Sequence, residues 1–181
     1  MTEPAAPAIP ADEVLYDGRF LQAVRREHWE FVRRKNTSGI VILVALTDAD
    51  ELLLVEQFRT PVGTRVIELP AGLAGDIAGE EDEPLQRAAA RELEEETGFR
   101  PGRIVPLTHG PVSAGLTSEV VTFFRALDLV RVSDGGGDEH EDIVVHRIPR
   151  PEVHAFLVAR QAEGLHVDPK VYAALWFIAN P

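Results

Sequence analysis

"RAAARELEEETGFR", residues 87–100, sets four glutamates, Glu92 and Glu94 to Glu96, into five positions between alanines and a glycine. The stretch reads as a helix from Glu83 to Thr97, with Asp82 as N-cap, Pro84 in the first turn and Gly98 as the stop. At about 100° per residue, Leu85, Ala88, Ala89 and Leu93 fall on one arc, which is the core-facing side. Glu92 and Glu96 fall inside that arc, Glu94 and Arg87 lie opposite it, and Glu95 sits at its edge. Two carboxylates one turn apart on a partly buried face repel, and an unpaired buried charge is costly unless its pKa moves.

Something positive should therefore meet Glu92 and Glu96. Arg91 can pair with one of them or with Glu95, although on the wheel it points to another side. Clustered carboxylate oxygens also suit a hard divalent cation, Mg²⁺ or Mn²⁺, and no histidine or cysteine is nearby to suggest zinc. At this point a metal site and a salt-bridge network both remain open.

Outward from the helix, the chain alternates strands and loops. Residues 13–35 mix apolar and charged positions and predict two strands of a half-exposed sheet. "GIVILVAL", residues 39–46, is a β-branched run typical of a buried strand, and "LLLVEQF", residues 52–58, reads as its hairpin partner after the turn "TDADE". "RVIELPAG" ends at Pro70 and Gly72, and "LAGDIAGEEDE", residues 73–83, is an acidic, glycine-rich loop. After the helix come the strands "RIVPL" and "EVVTFFRALDL", the loop "SDGGGDEHED", the strand "IVVHRI" and two amphipathic segments, 151–164 and 169–180. Trp176 and Phe177 in the last segment are expected in the core. The pattern is mixed α/β in one domain, residues 13–181, behind a proline- and alanine-rich tail, residues 1–12.

Composition narrows the function classes. The net charge of -12 argues against broad nucleic-acid or anionic-membrane binding. No apolar run reaches the length of a membrane span, and the N-terminus lacks a basic and hydrophobic leader, so the cytoplasm is the expected compartment. Without cysteine there are no disulfides, thiolate metal sites or cysteine nucleophiles.

"EPLQRAAARELEEETGF" resembles the Nudix box, G-x5-E-x7-R-E-U-x-E-E-x-G-U, where U is bulky and apolar. Glu83, Arg91, Glu92, Leu93, Glu95, Glu96, Gly98 and Phe99 match in register. The expected glycine at 77 is Ile77. The nearest glycines are Gly72, Gly75 and Gly79, and a loop insertion between Gly72 and Glu83 accounts for the departure. "VEQFR", "ELPAG", "SAGLTSE", "DEHEDIVVH" and "VDPKVYAALWF" look like the ADP-ribose pyrophosphatase and nucleotide-sugar hydrolase branch, with Ala114 replacing a proline of that branch.

The resemblance implies a Nudix-type α/β/α sandwich with a mixed sheet and C-terminal helices. It implies Mg²⁺ (or Mn²⁺) held by Glu92, Glu95, Glu96, Glu141 and the Ala71 carbonyl, with Glu96 central to catalysis and Glu139 as the general base. Arg59 would contact the diphosphate. Trp29, with Phe31, would stack on a base or on a partner subunit, since in this branch residues 13–35 dimerise. Glu83, Arg91 and Gly98 are structural in the motif, and Glu119 supports the site from behind. The implied substrate is a nucleoside diphosphate sugar such as ADP-ribose, taken as a small molecule by a homodimer that needs neither nucleic acid nor membrane. Three alternatives stand beside this: a dinucleoside polyphosphate hydrolase, an mRNA-cap hydrolase, which the lack of basic surface disfavours, and a catalytically silent nucleotide-sugar-binding module.

Overall fold

A computed structural model describes residues 10–137 and 142–180. Its N-terminal part is a separate antiparallel sheet of three strands, β1 (Glu13–Asp17), β2 (Leu21–Arg26) and β3 (Trp29–Arg34). The sequence leads one to expect two strands here. The extra turn is hidden because its left-handed residue is Glu27, φ 54°, rather than the glycine or asparagine that marks such turns. Asp12, assigned to the tail, bonds Arg26 and Arg33.

Two four-stranded sheets build the body. One has β4 (Gly39–Ala45) between β7 (Ala71–Ala74) and β9 (Val120–Arg131), with β8 (Phe99–Pro111) at its edge. The other runs β10 (Val144–Pro149), β5 (Glu51–Arg59), β6 (Thr64–Glu68) and β11 (His166–Val167). Thus β4 and β5 are not a hairpin. They share one bridge, Leu46 to Leu52, after which the chain crosses to the other sheet. Both strands are apolar on both faces, and such runs do not declare their partner by period. Leu73 and Ala74, expected in a loop, belong to β7, paired to β4 in the register Ile42 to Ala71.

Alternation along β4 feeds two cores. Val41, Leu43 and Ala45 pack with Ala88, Ala89 and Leu93 of α1 (Leu85–Thr97), while Ile42 and Val44 pack with Leu157 of α2 (Val153–Ala162) and Val171 of α3 (Pro169–Ala179). With α1 in one core and α2 and α3 in the other, the architecture is an α/β/α sandwich. Each fully buried aliphatic side chain contributes about 1.5–3 kcal/mol.

Helix α1 starts two residues later than expected. Pro84 is its N-cap, in an extended conformation, and its carbonyl accepts from the N–H groups of Arg87 and Ala88. Asp82 makes no capping bond, and Glu83 precedes the helix. At the other end Gly98 adopts φ 77° and donates to Glu94 O, and a Cβ there would lie 2.3 Å from the Ser133 carbonyl oxygen. The stop therefore requires glycine on both conformational and steric grounds. Trp176 is not in the core: it is 62% exposed, while Phe177 packs against Phe123 at 5.9 Å.

Candidate active site

Because α1 lies with Leu93 fully buried, its neighbours on that arc go inward too. Glu96 is 3% exposed, and its Oε2 accepts the Ala71 N–H at 3.0 Å. The Glu92 side chain is 13% exposed, against 50% for Glu95. Glu94 faces outward and pairs with Arg100 at 2.7 Å. Burial pushes the Glu92 carboxyl up to about 7, although Arg91 pulls the other way.

Gly72 explains how Glu92 fits. A Cβ on Gly72 would fall 1.9 Å from the Glu92 carboxyl carbon, so the backbone of β7 forms the seat of that carboxylate. Of Gly72, Gly75 and Gly79, only Gly72 lies against a box glutamate.

Arg91 does not point away, as the wheel suggests. Its guanidinium reaches Glu83, Glu92, Glu95, Asp76 and the Leu73 carbonyl. Glu83 is the deepest of these partners, with no exposed side-chain surface. Burial opposes the charge of Arg91, but the surrounding carboxylates outweigh it and raise its pKa. A long side chain swings far from its Cβ direction, which a wheel does not register.

Leu73, Asp76, Arg91, Glu92 and Glu95 line a cleft of about 460 Å³, together with three further cations, Arg34, Arg59 and Lys170. Each cation has a carboxylate partner: Arg34 with Glu119 at 2.7 Å, Arg59 with Glu68 at 2.7 Å, and Lys170 with Asp168. The sequence singled out Arg59 and Glu119 but missed Arg34, Lys170 and Asp76. Lys170 carried the one usable signal, being one of two lysines in the chain. Trp29 lies in a different groove of about 280 Å³, with Phe31, Ala114 and Thr117, and does not line the cleft.

Glu139 and Glu141 lie outside the described residues. Before them, Gly136 N–H donates to Glu96 O at 2.8 Å and Gly137 N–H to Glu95 O at 3.1 Å. After them, Arg65 bonds both the carboxylate and the carbonyl of Asp142 while also holding Glu56.

The donor set suits a hard cation. Glu92, Glu95 and Glu96 offer carboxylate oxygens, Ala71 lies beside Glu96, and among the described residues no histidine lines the cleft. Among the described residues no three acidic or imidazole groups stand as a ready-made metal cluster, and Arg91 is bonded between Glu92 and Glu95.

The Glu92 shift fixes a stability prediction. Its folded pKa, about 7, lies above the ordinary 4.5, so the folded state holds this proton more tightly. The resulting stability is present below about pH 4.5 and is lost as pH rises towards 7. In metal-free protein, the stability of Glu92→Gln relative to wild type should therefore grow by about 3 kcal/mol between pH 4 and pH 8. Urea unfolding in chelator at the two pH values measures this, and a pH-independent difference would refute it.

A family model of the NUDIX domain matches residues 37–169. The chain is 36% identical to an ADP-ribose pyrophosphatase of Bacillus subtilis (strain 168) over 91 residues, which is 50% of this chain and 46% of that protein. It is 30% identical to an ADP-sugar pyrophosphatase of Mus musculus over 197 aligned positions, covering 95% and 87% of the two. The chain spans about half the length of the first curated relatives it matches. A crystal structure of an ADP compounds hydrolase superposes with a TM-score of 0.68 over 99% of this chain and 96% of that one, at 22% identity, which speaks to the fold.

Proposed function

Because the chain belongs to the Nudix family, we propose that it is a pyrophosphohydrolase that cleaves the diphosphate of ADP-ribose or a related nucleoside diphosphate sugar. Water adds to one phosphorus, the bridging P–O bond breaks, and a nucleoside monophosphate and a sugar phosphate leave. The observation that carries this reading is the pair of inward carboxylates: Glu92, seated on Gly72 in a cleft that also holds Arg34, Arg59, Arg91 and Lys170, and the buried Glu96, held by the Ala71 N–H.

Glu92, Glu95, Glu96 and the Ala71 carbonyl would hold Mg²⁺ or Mn²⁺, with Glu141 as a further ligand. The bound ion would supply charge neutralisation of the diphosphate and a lowered pKa for the attacking water. The chain's own residues do the rest. Arg59, oriented by Glu68, presents its guanidinium to phosphate oxygens, and Arg34 and Lys170 offset the acidity that would otherwise repel an anionic substrate. Glu139 takes the proton of the water. Glu83 braces Arg91, and Gly98 ends the helix so that Glu95 and Glu96 stay in its last turn.

Residues 13–181 act as one domain, and residues 13–35 pair two copies. Tyr16, Phe20, Leu21 and Trp29 are exposed apolar residues of that region, which supports a homodimer in which Trp29, away from its own cleft, stacks on the base held by the partner subunit. Sedimentation as a monomer at micromolar concentration would refute the dimer. No helix among the described residues is long and apolar enough to cross a membrane. We take the working compartment to be the cytoplasm, with no nucleic-acid partner.

A turnover panel with Mg²⁺ tests the reading: ADP-ribose, GDP-mannose, UDP-glucose and diadenosine polyphosphates. One nucleoside diphosphate sugar should be hydrolysed to two phosphomonoesters, with loss on chelation. Preference for the polyphosphates would replace the substrate class, and tight binding without turnover would make the protein a binding module. Glu139→Gln should lower kcat by about 10²–10⁴-fold; a wild-type rate would move the base to Glu141.

A further inference from the structure

Arg91 stands within the candidate metal site, and its two ends are held very differently. Nη1 lies 2.9 Å from Glu92 Oε1 and 3.1 Å from Glu95 Oε2, two of the carboxylates that a cation would share. Nη2 lies 2.9 Å from the Leu73 carbonyl oxygen and 3.2 Å from Glu83 Oε2, and Nε is 3.4 Å from Glu83 Oε1. The Glu83 side chain has no exposed surface and Leu73 O belongs to β7, so this second end is anchored in the framework, with Asp76 a longer contact of Nη2 at 3.5 Å. The first end rests on Glu92, seated against β7, and on the half-exposed Glu95, two carboxylates that line the cleft a cation would enter.

We propose that Arg91 is a positioning residue that serves as the internal counter-cation of the site. In the metal-free protein Nη1 draws Glu92 and Glu95 towards one point. A divalent cation displaces Nη1 alone, while Glu83 and the Leu73 carbonyl keep the rest of the guanidinium in place.

A cation and a guanidinium repel when they share the same oxygens, so both cannot keep full contact with Glu92 and Glu95. Removing Arg91 altogether, however, would leave Glu83 buried without its main partner and Glu92 facing Glu95 across a gap. The divided anchoring resolves both demands. The inference rests on the metal reading proposed above.

The test does not depend on turnover. In wild-type protein labelled with ¹⁵N-arginine, the Arg91 signals are assigned by their loss in Arg91→Lys. Titration with Mg²⁺ should then move the Nη1 signal in step with binding and leave Nε nearly unmoved. In Arg91→Met, the metal-free Tm should fall, and saturating Mg²⁺ should raise Tm by at least twice as many degrees as in wild type. Calorimetry should give a Kd for Mg²⁺ at least about fivefold tighter in Arg91→Met, because the competitor is gone. A plain structural brace predicts equal metal-induced gains in Tm and no tightening, and that result would overturn the proposal. Should Arg91→Met fail to fold under either condition, the wild-type titration decides by itself. Mg²⁺ binding with unmoved Arg91 signals overturns this inference alone. A wild type that binds no divalent cation overturns the metal reading with it.

Discussion

Glu96→Gln should lower kcat by about a thousandfold while shifting Tm by no more than a few degrees. Glutamine keeps the volume of the buried side chain, and its amide oxygen can still accept the Ala71 N–H. What it loses is the charge that would bind the cation stabilising negative charge in the transition state, a contribution of several kcal/mol. About 4 kcal/mol corresponds to a factor of 10³ in rate. Steady-state kinetics at saturating Mg²⁺, with thermal unfolding as the folding control, measures this. Full activity in a folded Glu96→Gln would remove Glu96 from the metal site.

Gly72→Ala separates the site from the fold. Gly72 is an ordinary strand residue of β7, paired with Val41, and it has no left-handed φ to protect. Its added Cβ would meet the Glu92 carboxylate at 1.9 to 2.3 Å. That carboxylate is the far end of a flexible side chain, so the clash is relieved by moving it and not by moving the backbone. The fold should persist with a Tm close to wild type, while kcat falls by about a hundredfold, the usual penalty for displacing a site group by an ångström. An unimpaired rate would mean that the position of Glu92 on β7 is unimportant to the chemistry. At Gly98 the outcome should differ, because there the clash is with the Ser133 backbone and φ is 77°.

What the sequence made legible was local. Spacing placed Glu92 and Glu96 with Leu93 on one helical face, and their burial is what the structure shows, because two alanines and two leucines leave that face no other direction. Of the body's strands, β4, β5, β6, β8, β9 and β10 were readable from apolar runs and turns, while the short β7 and β11 were not. Pairing was not. Whether "GIVILVA" and "LLLVEQF" form a hairpin or sit in two sheets depends on partners some 80 residues away, such as Val121 beside Ile40. The Asp82 cap failed because Pro84 enters the helix from an extended conformation, leaving Glu83 to turn inward onto Arg91. Arg34 escaped notice because nothing near it carries a motif, and Lys170 because "VDPKVYAALWF" reads only as a closing helix. Tertiary structure alone brings the end of β3 and the start of α3 to one cleft. Trp176 misled because its size suggested core, whereas its neighbours Ala174 and Val171 fill that side of α3.

The three-stranded N-terminal sheet has its own strand pairing and joins the body through the backbone bonds of Val32 to Leu116 and Ser118 and the Arg34 to Glu119 ion pair. Such a unit is expected to open by itself, with amide exchange at a free energy below that of global unfolding. When it opens it carries Arg34 away from the cleft, while α1 and both cores stay folded. Filling the cleft would then slow hydrogen exchange in β1 to β3, strands that contain none of the box glutamates.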